Sequence, residues 1–187
     1  MSVMIVLLLA VLSRVVPVAL HQQPWNFSLL GGSLLFLGSR MAKDSPRQAA
    51  LKIAGVLAVL MATDYWLTAY GYGYPFHVSS YLITWAWYAG VCVLSMALFR
   101  KMTALRAVAG AVATPTSFFL LSNFAVWMGG MYAHTLAGLA QCFAMAVPFY
   151  RNDLASTALT VTALFGLPAV ATRLASSFDA ADKDIAA

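Results

Sequence analysis

From Val3 onward the chain is cut into long apolar runs by short polar or Gly/Pro-rich stretches, and this alternation limits what it can fold into more than any motif does. A helix that crosses a hydrocarbon core needs about 20 predominantly apolar residues. Seven runs are candidates: Val3 to Leu20, Phe27 to Gly38, Ala49 to Tyr70, Ser80 to Phe99, Leu105 to Ser122, Met131 to Val147 and Leu154 to Ala171. The second, about 18 Å long as a helix, is too short to span alone, so it is extended by its flanks, tilted or partly re-entrant. Composition agrees. Only 9% of the 187 residues are charged and 62% are hydrophobic, whereas soluble domains carry about 25% charged residues. Lipid is the main solvent, and an ordinary soluble enzyme is excluded. The reading is an all-α polytopic membrane bundle of six to seven transmembrane helices, one domain over residues 1–176 followed by a short acidic tail, 177–187.

Charge then sets topology. Cytoplasmic connections keep Lys and Arg. Arg40, Lys43, Arg47 and Lys52 join the second run to the third, and Arg100, Lys101 and Arg106 join the fourth to the fifth. The stretches His21 to Asn26, Gly71 to Ser79 and Asn123 to Gly130 contain no charged residue and belong outside. This puts the N-terminus in the cytoplasm and Arg151 in a tight cytoplasmic turn. The tail, with Asp179, Asp182, Lys183 and Asp184, lies outside for seven spans and inside for six. Net charge is +5, but the basic residues are not interleaved with aromatics as a nucleic-acid surface requires. Cys92 and Cys142 lack a partner at metal or redox spacing and read as buried core thiols.

Helices in lipid approach closely through small residues. Ala50, Ala54, Ala58 and Ala62 form one such stripe, and Ala133 with Ala137, Ala140 with Ala144 and Ala86 with Gly90 offer shorter ones. Tyr70, Tyr72, Tyr74, Tyr81, Trp25, Trp85 and Trp87 fall near outer helix ends, as an interfacial aromatic belt or as walls that stack on a substrate.

Two charged side chains cannot be assigned to connections, Arg14 in the first run and Asp64 in the third. An intramembrane charge costs a few kcal/mol, so it is normally paired or faces a cavity. Each lies about 9 Å from the outer end of its run, which makes an ion pair available, either as a register-fixing salt bridge or as the charged wall of a pocket. Asn26, Asn123, Trp127, Tyr132 and His134 gather on the same side. The two asparagines also stand where an N-cap and a C-cap would. A few placed polar groups with aromatic walls are how small molecules are held. No nucleophile motif, metal signature or phosphate loop accompanies them, so neither catalysis nor a cofactor is expected.

At these residues the chain resembles an uncharacterised family of bacterial membrane proteins described as substrate-binding (S) components of energy-coupling-factor transporters. The likeness runs from about Arg14 to Gly166. It rests on Arg14 and Pro17, on Pro24, Asn26, Phe27 and Ser28, and on Leu35, Phe36 and Gly38. Asp64, Tyr65 and Leu67 also match, as does the longer run through Phe118, Phe119, Ser122, Asn123, Trp127, Tyr132, Thr135, Gly138, Cys142, Pro148 and Asn152. The resemblance implies capture of a vitamin-like micronutrient from outside and release through a transmembrane coupling subunit with paired ATPases. S components commonly carry an AxxxA pattern in helix one. Here that helix reads Val6, Leu7, Leu8, Leu9, Ala10, Val11, Leu12, so either the Ala50 to Ala62 stripe substitutes or the chain does not couple to that module. The expected pocket uses Arg14, for an anionic group, with Asp64, Asn26, Asn123, Trp127, Tyr132 and His134. The competing expectation is a structural or accessory transmembrane subunit of a larger respiratory or photosynthetic complex.

Overall fold

The computed structural model describes residues 2–22, 27–172 and 175–177. Among them are six α-helices: α1 (Val3–Ala19), α2 (Leu30–Arg40), α3 (Pro46–Trp66), α4 (Leu82–Leu98), α5 (Ala104–Met128) and α6 (Leu136–Val161). A π-turn, Leu67–Gly71, extends α3, and a 3₁₀ turn, Val78–Tyr81, leads into α4. The chain is thus an all-α bundle. Four of its helical stretches are long and apolar enough to cross a membrane: Pro46–Gly71, Val78–Leu98, Ala104–Met128 and the one that begins at Leu136.

Local chemistry explains the boundaries. Ser45 and Gln48 form a reciprocal capping box with Pro46 in the first turn of α3. The hydroxyls of Thr103 and Thr135 accept from the amides of Arg106 and Gly138 and start α5 and α6. α1 stops in a Schellman turn, where His21 takes the left-handed conformation (φ 55°). The His21 and Gln22 amides donate to the Val18 and Pro17 carbonyls at 2.9 and 2.7 Å. Arg106 Nη1 donates to the carbonyls of Leu98 and Lys101 and ties the α4–α5 turn.

α2 is the hub. It touches α1, α4, α5 and α6, and every residue from Leu30 to Gly38 is buried. Glycine makes this approach possible. A Cβ on Gly31 would lie 2.6 Å from Thr157 Oγ1, one on Gly32 2.5 Å from Thr160 Cβ, and one on Gly38 would run into the Cys92 carbonyl oxygen. The small-residue stripes do not do this work within the chain. Ala50, Ala54, Ala58 and Ala62 are all exposed, as are Ala86, Gly90, Ala133, Ala137, Ala140 and Ala144. The face of α3 that packs inward carries Ala49, Val56, Leu60, Thr63 and Asp64 instead.

The largest correction concerns the last two apolar runs. They are one helix: α6 continues through the π-turn Thr162–Gly166 into helical residues 167–172. Arg151 lies inside it, not in a turn, and the seven-span arrangement gives way to six helices. The polar cluster Arg151, Asn152, Asp153 resembles a loop in sequence. The helix absorbs it because Asp153 faces an internal cavity while Ser156, Thr157 and Thr160 are buried, the two threonines against the α2 glycines. At the far end Phe165 packs on Phe36 and Phe99 at centroid distances of 5.7 and 5.0 Å. Arg40, Lys43 and Arg100 border one shallow hollow at that same end, so the two basic connections do share a side of the bundle. Most of the acidic tail, 178–187, lies outside the described residues.

Candidate functional site

Inside the bundle is a cavity of about 180 Å³ bounded by α1, the start of α2, the end of α3, α4, α5 and α6. Arg14 and Asp64 meet at its wall, with Nη2 donating to Oδ1 at 2.5 Å. Asp64 is held from further sides: Trp85 Nε1 donates to Oδ2 at 2.9 Å and the Tyr88 hydroxyl to Oδ1 at 3.4 Å. With 1% of its side chain exposed, the carboxylate is enclosed, and both of its oxygens accept hydrogen bonds. Arg14 is less completely used. Its Nη1 is buried and has no hydrogen-bond partner, an arrangement that costs about 1–3 kcal/mol or more for a charged group.

The α1–α2 connection brings irregular backbone into the cavity. Ser28, Leu30 and Gly31 line it, and the Leu29 amide donates to Ser13 Oγ at 3.0 Å, which in turn donates to the Ala10 carbonyl. No side chain caps the start of α2, so the amides of its first turn lack a side-chain acceptor. Non-helical backbone at membrane depth is tolerated where it is buried in protein or lines a cavity. The short second run is therefore an 11-residue helix, Leu30–Arg40, whose leading flank is irregular backbone at the cavity.

Aromatic rings form the remaining walls. Tyr72 and Tyr81 lie on the side where α3 ends and α4 begins, and Trp87, Tyr88 and Phe118 lie deeper. Phe76, Tyr81 and Trp85 stack in sequence at 5.1 and 5.8 Å, and the Tyr81 hydroxyl is bonded to that of Thr68. Trp87 Nε1 donates to Ser117 Oγ at 2.9 Å and its ring sits 4.8 Å from Phe118. The tyrosines thus divide. Tyr70 and Tyr74 are exposed as a belt would have them, whereas Tyr72, Tyr81 and Trp87 border the cavity. Trp25 lies outside the described residues.

Asp153 also lines the cavity, although its sequence position suggested a cytoplasmic loop. It is shared with a neighbouring hollow of about 100 Å³ that reaches Ser122, Asn123 and Tyr150. The signal that could have found it is the polar face Asp153, Ser156, Thr157, Thr160 on an otherwise apolar run.

The expected site residues therefore separate. Arg14 and Asp64 are together. Asn123 borders the adjoining hollow. It is no C-cap, because α5 runs on to Met128 and its amide donates to the Phe119 carbonyl at 2.7 Å. Trp127, at the end of α5, and Tyr132 and His134, in the α5–α6 turn, do not line the cavity. Trp127 Nε1 donates to the Ala133 carbonyl, and His134 bonds the Trp127 carbonyl at 3.0 Å. Asn26 lies outside the described residues. Cys92 and Cys142 are both buried free thiols.

The model of a family described as a family of unknown function (DUF6580) matches residues 1–179. No curated protein and no solved structure matches the chain.

Proposed function

We propose that this chain, which belongs to the family of unknown function DUF6580, is the small-molecule-binding component of a membrane transporter, S-component-like and without enzymatic activity of its own. In this reading it sits in a bacterial inner membrane with its N-terminus in the cytoplasm, its basic connections inside and its cavity filled from outside. The observation that carries the proposal is the Arg14 amino group, buried beside an aromatic-walled cavity without a protein acceptor. Broken backbone at the same place supports it, since transporters build binding sites from interrupted helices. The exposed Ala50, Ala54, Ala58, Ala62 face offers a coupling subunit a smooth surface.

The test is untargeted mass spectrometry of small molecules that co-purify with the full-length protein in mild detergent, compared with Arg14→Lys. The variant keeps the charge that Asp64 needs but loses the guanidinium fork. One compound enriched with the wild type and depleted at least tenfold with the variant is expected. Equal recovery with both, or none with either, would remove the proposal.

A second reading, an accessory subunit of a larger membrane complex, is favoured by Arg151. Its neighbour Tyr150 bonds Thr116, the middle residue of α5, at 2.9 Å, so Arg151 projects from α6 level with the middle of α5, exposed and, among the described residues, without an ion pair. At that depth an arginine calls for an acidic or carbonyl partner.

A further inference from the structure

Resting on the reading of this cavity as a ligand site, we infer that its ligand is a small organic cation, with Asp153 as the counter-charge and Arg14 as a hydrogen-bond donor. The charges decide this. Among the described residues the ion pairs are Arg14 with Asp64 and Lys52 with Asp44. Asp64 thus cancels the charge of Arg14 within the wall, and Asp153, on the opposing helix, has no cationic side chain beside it. The other polar groups that border the cavity, such as Ser13, Ser28, Thr68 and Tyr72, are neutral hydroxyls. With Arg14, Asp64 and Asp153 charged, the site carries one uncompensated negative charge. An anionic ligand would add to it.

The surroundings agree. Asp153 stands one helical turn from Thr157, which packs against Gly31 in the first turn of α2. Trp87, Phe118 and the tyrosines present ring faces, which attract cations. The volume of about 180 Å³ lies below the roughly 300–1,000 Å³ of sites for drug-sized ligands, so the cation is small. Its positive nitrogen meets Asp153, and a neutral acceptor atom at its other end accepts a hydrogen bond from the Arg14 guanidinium in the cavity wall.

Three probes with one phenol body test this on the full-length protein in detergent: tyramine (cationic), tyrosol (neutral) and 3-(4-hydroxyphenyl)propionate (anionic), titrated by microcalorimetry. Tyramine is expected to bind at least tenfold more tightly than tyrosol, with the anion weakest. Asp153→Asn is expected to bring tyramine to the level of tyrosol, and Asp153→Glu to keep the preference. The inference is overturned if the anion binds as well as the cation, if Asp153→Asn leaves the preference unchanged, or if none of the three binds. In each of these cases a co-purifying compound lost with Arg14→Lys would still uphold the transport reading, so the two failures are distinguishable.

Discussion

Arg14 and Asp64 join α1 to α3 through an ion pair whose two ends are unequally enclosed: the aspartate side chain is 1% exposed and the arginine 18%. The acid is also bound by Trp85 and Tyr88 from α4, so three helices converge on one carboxylate. The base keeps one amino group without a partner. The acid anchors the contact and the base presents it to the cavity.

Removing either partner should therefore cost more than removing both. Asp64→Asn leaves the guanidinium uncompensated, and breaking a buried pair on one side typically costs about 3–5 kcal/mol, whereas an apolar replacement of both is often neutral. Thermal unfolding in detergent is expected to show large losses for Asp64→Asn and Arg14→Met, with most of the loss recovered in the double variant Arg14→Met, Asp64→Leu. Additive losses in the double variant would contradict the pairing.

The α2 glycines make a second prediction. Gly38→Ala and Gly32→Ala place a methyl group into the backbone of α4 and into Thr160. Overpacking of this kind costs about 1–3 kcal/mol. Gly55 and Gly90 meet nothing within 4 Å of an added Cβ, and there alanine should be neutral or gain up to about 1 kcal/mol through helix propensity. The melting temperatures of the four variants should fall into two groups, and overlap between the groups would count against the central position of α2.

Arg151 supplies a third. A translocon-based estimate puts an arginine at the centre of a bilayer at about 2.5–3.5 kcal/mol, so Arg151→Leu should raise the yield and stability of the isolated protein. If an acidic partner helix covers the residue in the membrane, the same change should remove that partner from mild-detergent preparations. Partners recovered equally with both forms would end the accessory-subunit reading.

Helix boundaries, unlike the helix class, were misjudged from the sequence for a physical reason. Polar residues near the end of α5 read as a boundary at Ser122. Yet Ser122 Oγ donates to the Phe118 carbonyl at 2.6 Å and the Asn123 amide to that of Phe119, so the helix satisfies these groups itself and runs on to Met128. In α6 the cavity and the α2 glycines accommodate what looked like a loop. By contrast, the basic connections were legible, because Lys and Arg stay with water wherever the helices pack.

For the candidate site, Arg14 and Asp64 were visible because each is a charge in an apolar run, a property of the local sequence. Asp153 was not, because its role depends on which way α6 is turned. In a soluble helix the buried face is marked by apolar residues against a polar remainder. Here lipid and protein interior are equally apolar, so hydropathy fixes which stretches are helical and membrane-sized but leaves each helix's rotation about its axis open. The alanine stripes of α3, α4 and α6 therefore turned outward and the glycines of α2 inward without any signal in hydropathy. Only tertiary contacts, which depend on side-chain shape and on a few buried polar groups, brought Asp153 to the cavity that Arg14 and Asp64 line.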